Sequence, residues 1–163
     1  PFGDDWAAAW DACPRGDWLL GIAARARVRP ALVARAALDV AAFGLEDIAL
    51  EALPVPDALE RAARVLETGT VEALGEHADA FERASDSTND AALAASLLSV
   101  ACALRACSHV EEAASVPALV AQAAVLSAGD CAMMAVLAYA QRRTADLVRA
   151  RISSAAIAEA ARA

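Results

Sequence analysis

Four carboxylates, Glu72, Glu76, Asp79 and Glu82, follow one another at spacings of four, three and three residues. On a helix of 3.6 residues per turn that spacing lines them along one side. Paired carboxylates do acid–base chemistry when burial drives their pKa values apart. Along the flank of an amphipathic helix they more often form a solvated face. A third use is recognition: like charges held close repel one another and are relieved by Arg or Lys from a partner. Glu46, Asp47 and Glu51 form a second, smaller acidic patch.

The other reactive residue types are sparse. His77 and His109 are the only histidines. A carboxylate-bridged metal site of the helical-bundle kind needs Glu-x-x-His pairs from two helices. The residues three before the histidines are Leu74 and Ala106, and Glu76 lies about 100° around a helix from His77, so no metal site is expected. His109 with Glu112 has suitable spacing but no second half. Cys107, Ser108 and His109 adjoin in sequence, yet consecutive helical residues diverge, so they do not make a nucleophile–base pair. The glycines form no phosphate-cradling loop. Neither a catalytic set nor a cofactor is expected. Phe2, Trp6 and Trp10 recur every four residues, which places them on one helix face as core or as an exposed partner anchor.

What must position these groups is helix. Of 163 residues, 48 are alanine, the strongest helix former because it loses no side-chain freedom on ordering. Hydrophobic residues make up 59% and aromatic ones 4%, so the core depends on close helix approach rather than on bulk. No strand-like alternation occurs. We expect an all-α single domain, a bundle of seven to nine helices, with 85–90 as the one candidate internal boundary. Mean hydropathy is +0.41. Even so, every apolar stretch, the longest being Ala91 to Leu104, is interrupted before the length a membrane span requires.

Local signals place the elements. The first helix runs from about Asp4 to Ala12 and breaks at Cys13-Pro14. Asp17 is expected to cap a second, reaching to about Val28, with Trp18 buried beside Leu19, Leu20 and Ile22. Pro30 opens a third, with Leu32, Val33, Leu38 and Val40 inward and Gly44 at its end. Shorter pieces follow at Glu46–Leu53 and Ala58–Glu67. Thr70 caps Val71 to about Ala84, anchored by Val71, Leu74 and Phe81. Residues 85–90 read as a loop. Beyond it come Asp90 to His109, Val116 to Leu126, and Cys131 to about Ile152 with a restart after Ser153-Ser154.

All fourteen basic residues are arginine, and the net charge is −8. Such a chain is repelled by phosphate backbones, so neither nucleic acid nor membrane is an expected partner, while a basic protein is. Cys13, Cys102, Cys107 and Cys131 lack paired Cys-x-x-Cys spacing and read as reduced core residues. The opening Pro1-Phe2-Gly3-Asp4-Asp5 is acidic where a secretory signal is basic, so a cytoplasmic setting is expected, with an upstream segment left open by the missing start Met.

Two strings carry a resemblance. Trp10-Asp11-Ala12-Cys13-Pro14-Arg15-Gly16-Asp17-Trp18-Leu19-Leu20 resembles the opening of a family of small alanine-rich bacterial immunity proteins. Ala145-Asp146-Leu147-Val148-Arg149 is similar to the run that follows that family's closing alanine-saturated helix. The resemblance implies a cytoplasmic, non-enzymatic protein that neutralises a toxin by binding it. The expected contacts are then Glu72, Glu76, Asp79 and Glu82, with Glu46, Asp47 and Glu51 as the second patch. Two other classes stay open. One is a helical interaction or scaffold domain acting in bacterial signalling or assembly and able to form a homodimer. The other is an enzyme or ligand-binding bundle with a pocket at His77 or His109.

Overall fold

A computed structural model describes residues 5–45, 54–68, 74–108, 110 and 134–162. Among them the chain forms eight helices and no strand: α1 (Trp6–Ala12), α2 (Gly16–Arg25), α3 (Pro30–Phe43), α4 (Val55–Thr68), α5 (Leu74–Ser87), α6 (Ala91–Ser108), α7 (Met134–Arg151) and α8 (Ser154–Ala160). The all-α bundle is as expected, and among the described residues no helix is long and apolar enough to cross a membrane.

α3 and α6 make the centre. α6 packs against α3, α4 and α5, and α3 against α2, α4, α6 and α7. Both are alanine-rich and buried on several sides: Val33, Ala34, Ala37, Leu38 and Ala41 in α3, Leu97, Val100, Ala101 and Leu104 in α6. Small side chains bring helix axes together, which is how a core this poor in aromatics fills. The outer helices bury a single stripe each. In α5 it is Leu74, Ala78 and Phe81, at spacings of four and three. α1 lies on α8 and α2 on α7, so the two ends of the chain close against each other.

Most termini follow their local signals. Asp5 accepts from the Ala8 amide at 2.9 Å and Ser153 from the Ala156 amide at 3.2 Å, as N-cap residues do. Pro30 sits in the first turn of α3, and Gly44 caps its end. Asp90 accepts from the Leu93 amide at 3.1 Å. Ser96 of α6 donates to the Gly44 carbonyl at 2.8 Å, joining α6 to the end of α3.

Three expectations are corrected. Asp17 does not cap α2. The helix starts at Gly16, and Asp17 lies within its first turn, 3% exposed. Trp18 is not core but 56% exposed. Gly16, Leu19, Leu20 and Ala23 take the inner face of α2, and Trp18 sits about 100° around the helix from Leu19. Only half of the stretch 85–90 is a loop, because α5 continues to Ser87, leaving three residues before α6. Ser85 helps the continuation by donating to the Ala94 carbonyl of α6 at 2.8 Å. The segments 46–53, 70–73 and 116–126 lie outside the described residues.

Candidate interaction surfaces

α5 is amphipathic, so burying Leu74, Ala78 and Phe81 turns its polar side outward. Glu76 and Asp79 are exposed there, and Glu82 lies at the edge next to α6. Arg105 of α6 reaches across that edge. Its Nη2 donates to Asp79 Oδ1 at 2.9 Å and also to Glu82 Oε2. The two carboxylates hold the Arg105 proton more firmly than usual, first through the bond to Glu82. Half of the predicted stripe thus meets its arginine inside the molecule. With side chains 57% and 41% exposed, the two carboxylates remain open to solvent on their outer sides.

Asp86 is an exposed carboxylate seven residues beyond Asp79, in line with it on α5. The sequence reading missed it by ending the helix at Ala84; the i, i+7 spacing was the available signal. Glu72, Glu46, Asp47 and Glu51 lie outside the described residues. His77 is half-buried on α5, and His109 and Cys131 lie outside the described residues. Among the described residues no three His, Cys, Asp or Glu side chains are grouped to hold a metal ion.

The second surface is built where the chain ends meet. The Arg15 guanidinium grips buried Asp17, from Nε to Oδ1 at 3.1 Å and from Nη2 to Oδ2 at 2.6 Å. Its Cζ stands 4.5 Å from the centre of the Trp18 ring, a cation–π contact. Beneath this, Gly16 is jammed against α7: a Cβ there would lie 2.5 Å from Thr144 Oγ1 and 2.7 Å from the Thr144 carbonyl carbon. Arg149 of α7 donates from Nη2 to the carbonyls of Trp10 (3.1 Å), Asp11 (3.1 Å) and Cys13. These carbonyls lie at and just past the end of α1, where the Trp10 carbonyl also accepts from the Cys13 amide at 3.3 Å. The two strings that carry the family resemblance therefore pack on each other. Trp10 is fully buried, Trp6 is exposed, and Phe2 lies outside the described residues.

A third cluster ties helices together. Asp39 of α3 accepts from Arg151 of α7 at 2.5 Å and sits 3.7 Å from Arg35, whose Nη1 reaches Glu67 of α4 at 3.3 Å. Cys13, Cys102 and Cys107 are free thiols. Burial pushes Cys107 up to about 12, and nearby Arg35 only partly offsets it, so this thiol is inert at neutral pH. Cys102, half-buried, is also raised by burial. Comparison with family models, with curated proteins and with solved structures returns no match.

Proposed function

We propose that the chain is a non-enzymatic, immunity-type protein that binds and neutralises a cognate bacterial toxin, docking a basic partner on the outer face of α5. The observation that carries this reading is the run Glu76, Asp79 and Asp86, exposed on the side of α5 opposite Leu74, Ala78 and Phe81, in a chain of net charge −8. Carboxylates so placed accelerate encounter with a basic surface and make it salt-dependent. Glu72, expected on this face from its spacing, lies outside the described residues, as do Glu46, Asp47 and Glu51 of the reserve patch. The setting this reading implies is cytoplasmic.

Co-expression with the product of the adjacent gene in its genome tests the proposal. Protection of the host and a co-purifying complex are expected. Glu72→Arg/Glu76→Arg should slow association and flatten its salt dependence while leaving the fold intact. Neither complex nor protection would overturn the reading, and unaltered kinetics in the double variant would move the contact off α5.

A further inference from the structure

We infer that the outer face of α2 docks on the outer face of α5 of a second copy of this chain, head to tail. In a chain with 22 acidic residues there is none between Trp18 and Leu38, whereas arginine occupies 25, 27, 29 and 35. Arg25, Arg27 and Arg29 are all exposed, and among the described residues none has a carboxylate partner. Three guanidinium groups within five residues repel one another, and carboxylates from outside relieve that repulsion.

The backbone adds a second observation. α2 ends with the Val28 amide bonded to the Ala23 carbonyl at 3.0 Å and the Arg27 amide to the Ala24 carbonyl at 3.1 Å. This closure needs a left-handed residue at position 27, and glycine fits it without strain. The chain carries arginine there instead, at φ 60°. The strained position adds a third outward charge to a turn that already has two.

Trp18 supplies the apolar part. Arg15 covers one side of its ring, and buried Asp17 pins Arg15, so the indole is oriented before any contact and loses little freedom on docking. Gly21, one helical turn on, has open space where a side chain would stand, and Ile22 is half-buried beside it. On α5 the exposed carboxylates Glu76, Asp79 and Asp86 share the outer face with exposed Arg83, and small, exposed Ala80 stands one turn on from Glu76, leaving room for a ring beside that carboxylate.

The helices pack in the order α2, α3, α6, α5, which puts the two faces at opposite ends of the molecule. Such a contact cannot be reciprocal. It is heterologous, so it propagates beyond a dimer or closes into a ring. The mutual repulsion of two chains of charge −8 acts at long range and is screened beyond about 10 Å at about 0.1 M salt, while pairs in contact are not. A toxin seated on α5 would displace the neighbouring copy.

Sedimentation velocity of the pure protein tests this without any partner, so its outcome and that of the co-expression experiment are independent. Species larger than a dimer are expected at about 0.1 M salt and monomer at about 1 M, where screening reaches about 3 Å. Arg25→Gln/Arg29→Gln removes charge from one face, and Glu76→Gln/Asp86→Asn from the other; all four side chains are exposed, and unchanged circular dichroism checks the fold. Each variant alone should be monomeric. Their mixture should give a one-to-one heterodimer that does not grow, because one intact face remains on each molecule. A wild-type monomer at both salt concentrations would overturn the inference. So would a dimer indifferent to either variant, or a mixture that stays monomeric.

Discussion

The closure of the chain ends and the α5–α6 hairpin both use arginine on backbone or carboxylate oxygen, with opposite consequences. At the closure, Arg149 bonds carbonyls up to 139 residues away in sequence, above a fully buried Trp10 and a glycine with no space for a methyl group. At the hairpin, Arg105 binds Asp79 and Glu82, only 26 and 23 residues away, in positions open to water. Charge-assisted bonds to backbone carbonyls at a helix end hold a fold together, since losing them strands polar groups. Exposed ion pairs contribute about 0–1 kcal/mol and are screened by salt. The charges of the first region hold the fold, and those of the second remain largely open to solvent.

The largest way to break this contrast is Trp10→Ala, which should cost about 3–5 kcal/mol through the cavity it opens at the closure. Urea unfolding measures it. Trp10→Phe should cost much less, because the indole N–H has no hydrogen-bond partner to lose. Next comes Gly16→Ala: its methyl would overlap the Thr144 backbone, so a loss of about 1–3 kcal/mol is expected where a helix-favouring substitution ordinarily helps.

Cys107, in the central helix, gives a pH signature. Its folded pKa is raised to about 12, so the folded state keeps the proton after the unfolded thiol has lost it. The stabilisation is fully present below the ordinary thiol pKa and is lost as pH rises toward about 12. Thermal melts from neutral to alkaline pH should show wild type losing more stability than Cys107→Ala; equal losses would contradict the burial of this thiol. The smallest effect belongs to Trp18→Ala, which should change stability by no more than about 0.5 kcal/mol, as for other exposed sites. A loss of several kcal/mol would return Trp18 to the core.

What was legible in the sequence was local. Pro30, Gly44 and Ser153 mark helix ends through their own backbone chemistry, and they stand where expected. Leu74 and Phe81 announced the inner side of α5 because the residues around them are polar. α2 offered no such contrast. Its inner face includes Gly16 and Ala23, whose small size is what allows α7 close, so the large Trp18 drew the reading to the wrong side. Asp17 looked like a cap because Asp commonly is one, and its bond to Arg15 is a local contact that no periodicity reports. The partners of Arg149, from the other end of the chain, have no sequence signature at all.

One paired measurement tests the contrast most directly: thermal unfolding of Arg149→Met beside Asp79→Asn/Glu82→Gln under one set of conditions. Arg149→Met should lose about 1.5–3 kcal/mol, the range for hydrogen bonds to a charged group, and show a clearly lowered Tm. The α5 double variant should lose no more than about 1 kcal/mol. If Arg149→Met melts like wild type while the α5 variant unfolds early, the charges at the chain ends do not hold the fold, and those of α5 are structural.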